Sequence, residues 1–256
     1  MAWCAPSSAY ESGRLTPGHR LSSSWSPVCP LHRHGEQSVC CVRPYPLERT
    51  SVTKSGSDSD RLSAVSILAA GTTPKGLRVV LRNPRLSDAD AWRRVRLDDQ
   101  AAIEPYWAYS DQSWPDQHRR RVWVREWIAA RRRMRRGQSI HTIVEVDGQL
   151  AGQCDAWLER YHQRGELGMW IHSRWSGDGV GLVAVGLLID HLFSEIGLER
   201  VSAPIACGNV PPSRLAERLG FVHEGVMRNY LTSGKGRCDY DLWSMTRKDW
   251  LARSKG

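Results

Sequence analysis

The sequence lacks any apolar run long enough to cross a membrane; its longest, Val180–Ile189, has the length of a core helix. It contains no internal repeat, which sets aside solenoids and propellers. A signal-peptide core is also missing, because Met1-Ala2-Trp3-Cys4-Ala5-Pro6 is interrupted at once by proline. The seven cysteines are an odd number at irregular spacings. They give no disulfide framework and suit a reducing cytoplasm, where the chain is expected to reside. Acidic charge is in deficit: 27 Asp and Glu against 36 Lys and Arg leave a net charge of +9. That balance suits an anionic partner such as nucleic acid, a ribosome or a phosphorylated cofactor, without identifying it. What the chain does have is 256 residues at 41% apolar content, enough for one or two domains with a core.

Residues 1–74 are rich in Ser, Pro, Gly and Cys and hold no apolar period. They read as a disordered extension or as the product of a misassigned start, with a short helix over Leu62–Ala70. Cys29, His32, His34, Cys40 and Cys41 match no standard zinc-finger spacing, so no metal site is expected. From residue 75 to 256 the pattern is that of one α/β (α+β) domain. Strand signals cover Leu77–Arg82, Gln138–Val146, Gln149–Arg160, Glu166–Ile171, Val201–Ala206, Phe221–Leu231 and Tyr240–Thr246, with Asp147-Gly148 as a hairpin turn. Helical signals cover Asp88–Asp99 (capped by Ser87), Asp116–Arg136, the stretch after Gly181, and Ser213–Leu219. The expectation is a mixed, mostly antiparallel central sheet flanked by about four helices.

One stretch organises the rest. Leu167–Ile171 reads as a strand, Ser176-Gly177-Asp178-Gly179-Val180-Gly181 as a glycine loop, and the apolar run beyond as a helix. Glycines turn backbone N–H groups toward a ligand, and the helix N-terminus adds partial positive charge, so the order predicts an anion site. No Lys follows Gly181, which argues against a nucleotide-triphosphate loop. The G-x-G-x-G spacing and the position of Glu199 argue against a dinucleotide fold.

At this point the chain resembles the GNAT acetyltransferases, whose pyrophosphate loop reads [QR]-x-x-G-x-[GA]; Ser176–Gly181 fits it except at the first position. Asn209, Glu217-Arg218-Leu219-Gly220-Phe221 and Glu224-Gly225 resemble the signature of the RimJ/RimL branch, as does the opening Leu81-Arg82 with Leu86–Ala91. The resemblance covers residues 77 to about 250. It implies a GNAT fold, acetyl-CoA as co-substrate, no metal, and acetyl transfer to an amine, foremost the N-terminal α-amine of a protein such as a ribosomal protein. It also implies a cofactor site made of Trp170, Ile171, Ser176, Gly177, Asp178, Gly179, Val180, Gly181 and Asn209. A backbone N–H near Trp170 or Ile171 would serve the thioester oxygen.

Glu166, in the run Glu166-Leu167-Gly168-Met169-Trp170, is the candidate base, with Ser213 and Tyr230 as further catalytic candidates. Two departures stand out. Ser176 replaces the usual Arg or Gln, and Pro212 takes the expected serine position with Ser213 one place later. They keep open a catalytically weak acyl-CoA-binding module, beside a small-amine (aminoglycoside or polyamine) acetyltransferase. The segment 116–136 carries Arg119, Arg120, Arg121, Arg125, Arg131, Arg132, Arg133, Arg135 and Arg136 against Asp116 and Glu126. It reads as a solvated face or as a contact for ribosome or RNA. A monomer or homodimer without membrane contact is expected.

Overall fold

Alternating apolar residues form strands here, and those strands join a single sheet. The computed structural model describes residues 2–3, 67–234 and 236–253, which belong to one compact unit. Residues 4–66, on which most of the expected disorder and the cysteine–histidine set fall, lie outside the described residues; Ala2–Trp3, also expected to be disordered, are described as a strand. The strands are β1 (Ala2–Trp3), β2 (Ile67–Thr72), β3 (Arg78–Arg82), β4 (Ser139–Val146), β5 (Gln149–Glu159), β6 (Arg164–Ile171), β7 (Arg200–Ala206), β8 (Val222–Ser233) and β9 (Gly236–Thr246). Their order is β2-β3-β4-β5-β6-β7-β9-β8, with β1 beside β6. Every pairing is antiparallel except β6 with β7.

The helices are α1 (Ala89–Asp98), α2 (Gln100–Ile103), α3 (Trp114–Gln117), α4 (Arg120–Arg135), α5 (Val180–Ser194), α6 (Val210–Arg218) and α7 (Arg247–Arg253). Two cores flank the sheet. On one side α5 buries Val180, Ala184, Val185, Leu188, Ile189, Leu192 and Phe193 with no exposed surface, joined by Leu215 of α6, Leu219 just after it and Trp250 of α7. Full burial of such side chains contributes about 1.5–3 kcal/mol each, which fixes the helix against the sheet. On the other side Trp92, Trp114 and Trp123 from α1, α3 and α4 pack against Ile143 and Trp170. A bidentate pair links the two layers. Both Arg82 Nη atoms donate to Asp88 at 2.9 Å, while Arg82 Nε donates to Glu145 at 2.7 Å.

Several expectations are corrected. Ile67–Thr72 is a strand paired with β3, so the Leu62–Ala70 helix does not form in its described part. The folded region therefore starts before residue 75. Ser87 does not cap α1; the Asp88 carboxylate accepts instead from the Arg85 N–H at 2.7 Å. The long helix is broken between α3 and α4, where Arg119 is extended. His118 sits at the break. It is 1% exposed, donates from Nδ1 to the Trp114 carbonyl at 2.7 Å, and packs 4.1 Å from the Trp114 ring. With α2, α3 and α7, the described helices exceed the four expected.

Candidate active site

Between β6 and β7 the sheet opens. Their parallel pairing covers only Arg164–Glu166 against Arg200–Ser202. Beyond Glu166, β6 runs on to Ile171, while β7 stays paired with β9 to Ala206. The released edge of β6 holds a short piece of chain: Ala2 pairs with Trp170 and Trp3 with Met169. A ligand that pairs with this edge must displace those two residues. Trp170 itself is buried; its indole donates to Gln153 at 2.9 Å and lies 4.1 Å from the Arg96 guanidinium. Ile171 belongs to the α5 core and pairs with Gly152 of β5.

At the end of β6 the chain makes the expected loop. Ser176 is extended, and its N–H donates to the Ser173 carbonyl at 2.8 Å. Gly177 and Gly179 both have φ near +81°, the left-handed region that glycine enters without strain. Gly179 also touches Pro74, where an added Cβ would lie 3.3 Å from the ring. Val180 opens α5, and the first helical bond there runs from the Val183 N–H to the Gly179 carbonyl. The N–H groups of Val180, Gly181 and Leu182 thus precede the helical ladder and are available to an anion. Asp178 would oppose one, but Lys75 Nζ neutralises it at 2.7 Å. With its charge paired to Asp178, Lys75 adds no net cation to replace the missing Arg or Gln at Ser176. No motif marks Lys75; only the β2–β3 turn places it there.

Glu166 and Tyr230 come together. Both line a cavity of about 550 Å³, with Arg133, Trp157, Arg164 and Ser202 among its walls. Glu166 Oε1 is buried without a hydrogen-bond partner. Burial pushes the carboxyl above its ordinary pKa, while Arg164 and the Tyr230 hydroxyl pull it down. Tyr230 is in turn pushed up by burial and by the neighbouring Glu166 charge. Its position depends on a bulge. The β8–β9 register breaks between Met227 and Leu231, and Asn229 sits at φ 51° with its N–H on Asp239 at 2.7 Å. The extra residues re-aim the strand and turn Tyr230 to the cavity.

Ser213 is not among the cavity's walls; its hydroxyl donates to the Asn209 carbonyl at 3.1 Å, inside α6. Asn209 is buried at the N-cap position of α6, yet its side chain makes no capping bond. The sequence reading missed Arg133, Trp157 and Ser202 as cavity residues, since each comes from an element distant in sequence. Among the described residues no cluster suits a metal ion.

The class is therefore an α/β protein with a glycine loop at a helix N-terminus and a sheet that opens at a buried carboxylate. Residues 78–222 match the family profile of the acetyltransferase (GNAT) domain, and the chain belongs to that family. It is 31% identical over 105 residues to YdaF of Bacillus subtilis, provisionally named a ribosomal N-acetyltransferase; the match covers 41% of this chain and 57% of YdaF. The chain spans 57%, 61% and 51% of the lengths of three curated relatives it matches. Among solved structures, it resembles Mycobacterium smegmatis RimJ in complex with CoA-disulfide. That likeness has a TM-score of 0.67 and 26% identity, over 73% of this chain and 94% of that one. The ribosomal-protein-S5-alanine acetyltransferase of Vibrio fischeri shares the fold, with a TM-score of 0.62 and 20% identity over 71% and 98%.

Proposed function

We propose that this chain transfers an acetyl group from acetyl-CoA to the N-terminal α-amine of a protein, with ribosomal proteins as the foremost class. The observation that carries the reading is Glu166: a buried carboxylate oxygen without a partner, facing a cavity where β6 and β7 part. The site fits the co-substrate. The N–H groups that open α5 suit its pyrophosphate, and the edge of β6, once Ala2 and Trp3 are displaced, runs for roughly 16 Å from Glu166 toward the loop. When bound, the thioester supplies the activated acyl group.

The chain's own residues then act on the amine. An α-ammonium has a pKa of about 7.7–8.0, so a base of modest strength suffices to release its proton. A carboxylate raised by burial is closer in proton affinity to that amine than an exposed one. Glu166 takes the proton, and the Tyr230 hydroxyl holds the carboxylate in the cavity. Of the two hydroxyls expected to serve catalysis, Tyr230 is the one in the cavity; Ser213 has first to leave the Asn209 carbonyl. The provisional name of YdaF, a ribosomal N-acetyltransferase, supports a ribosomal-protein acceptor. Such an acceptor places the protein in the cytoplasm.

The test is CoA release from acetyl-CoA with peptides bearing free N-termini and, separately, with aminoglycosides and polyamines. Peptide-dependent release is expected. Release with small amines alone would reassign the acceptor, and tight CoA binding without turnover on any amine would leave a binding module.

A further inference from the structure

Helix α4 carries a charged stripe that the transfer reaction does not use. Arg121, Arg125, Arg132 and Arg135 recur at intervals of four, seven and three residues and share one face of the helix. All four are exposed, as is Arg136 at the C-cap. None is in an ion pair with a described residue; the nearest pairs, Arg119 with Asp116 and Arg120 with Asp90, lie at the N-terminal end. Glu126, the one acid within α4, falls on the opposite side. The stripe spans about 21 Å at the helical rise of 1.5 Å per residue. Every cation on it is an arginine, whose planar fork suits phosphate.

Beside the stripe runs a groove of about 190 Å³, lined by Asn83, Pro84, Trp127, Arg131, Met134 and Arg135. The Arg131 guanidinium lies 4.8 Å from the Trp127 ring. An acidic peptide would match the charge, but only its aromatic residues bring a planar group, and its carboxylates suit the arginine forks no better than phosphates do. A nucleic acid supplies both, a phosphate chain for the stripe and a flat base for an aromatic and guanidinium wall.

We infer that the exposed face of α4 docks single-stranded RNA, with phosphates along Arg121, Arg125, Arg132 and Arg135 and a base in the Trp127–Met134 groove. Arg133, on another side of the same helix, lines the Glu166 cavity, so α4 itself lies between the docked RNA and that cavity. The inference stands independently of which amine is acetylated.

The test is binding of the full chain to a labelled single-stranded oligouridylate of about twelve nucleotides, followed by anisotropy across a salt series. Four phosphate contacts predict a slope of log affinity against log salt of about −2.8. The double variant R121Q/R132Q, on exposed positions, should bring the slope to about −1.4 with an unchanged melting temperature. An abasic oligomer of the same length should bind less tightly. No binding at low salt, or a slope indifferent to the double variant, would overturn the inference. So would equal binding of the abasic oligomer, or tighter binding of a polyglutamate of equal charge.

Discussion

At Glu166, burial and catalysis set opposing conditions. A base must lose its proton, yet burial favours keeping it. The folded pKa lies above the ordinary 4.5, so the folded chain holds this proton more tightly than the unfolded one. Stability from the group is complete below that ordinary value and is lost as the pH rises through the raised pKa. Glu166→Gln removes the titration. The thermal stability of the variant relative to the wild type should therefore increase with pH across that window, while turnover falls about 10²-fold or more and CoA affinity stays unchanged. A stability difference that is flat with pH would show a freely solvated carboxylate, and undiminished turnover would remove Glu166 from the chemistry. This residue was legible in the sequence because it sits in a motif next to the glycine loop. Its partner Tyr230 was legible only as a strand residue near the expected cleft. What brings it to Glu166 is the bulge at Asn229, and alternation does not report an extra residue on one strand.

Among the elements, the break between α3 and α4 shows how a tertiary contact overrides local propensity. The sequence from Asp116 onward has helical period throughout, and nothing in it marks His118 as buried. The structure places that imidazole against Trp114 and Trp92 at 4.1 and 5.1 Å. Burial, followed by the Arg96 charge, lowers its pKa from 6.5 to about 4. Here the unfolded chain binds the proton more tightly. The His118 contribution is complete above about pH 6.5 and is lost as the pH falls to about 4, a change on the order of 3 kcal/mol. The His118→Phe variant keeps an aromatic ring there without the titration. Its melting temperature should lie below that of the wild type near neutrality, and the gap should close as the pH falls through this window. A constant gap would mean that the imidazole protonates without hindrance in the folded state. Within α4 itself the helical period sets Trp123 and the arginine stripe on different faces, so the helix buries Trp123 while presenting charge outward.

For the molecule as a whole, hairpins and the strand–loop–helix unit were readable, because their signals are local: Asp147-Gly148, the alternation in β4, the glycines before α5. The opening between β6 and β7 was not, since periodicity tells which face a residue takes and not which strand lies beside it. The edge strand β2 was lost for a related reason. Ile-Leu-Ala-Ala-Gly-Thr is short and small, and its apolar content follows a Ser-rich stretch that drew the whole segment into one class. Yet β2 supports α5 directly. A Cβ on Gly71 would stand 3.0 Å from Val183 Cγ1 and 3.6 Å from Leu187 Cδ1, so the helix rests on bare backbone there. The turn after β2 brings Thr73 and Pro74 against Gly179, and Lys75 to Asp178. A chain beginning at Lys75 keeps the cavity with Glu166 and Tyr230 but loses that support. It uncovers Val183 and Leu187, and it leaves the edge of β3 unpaired. Its melting temperature should fall by on the order of 10 °C, and CoA binding, measured well below that temperature, should weaken because the loop has lost its backing. Unchanged CoA affinity with a lowered melting temperature would confine β2 to stability. Unchanged values of both would show that α5 and its loop hold their geometry from β3 and β5 alone.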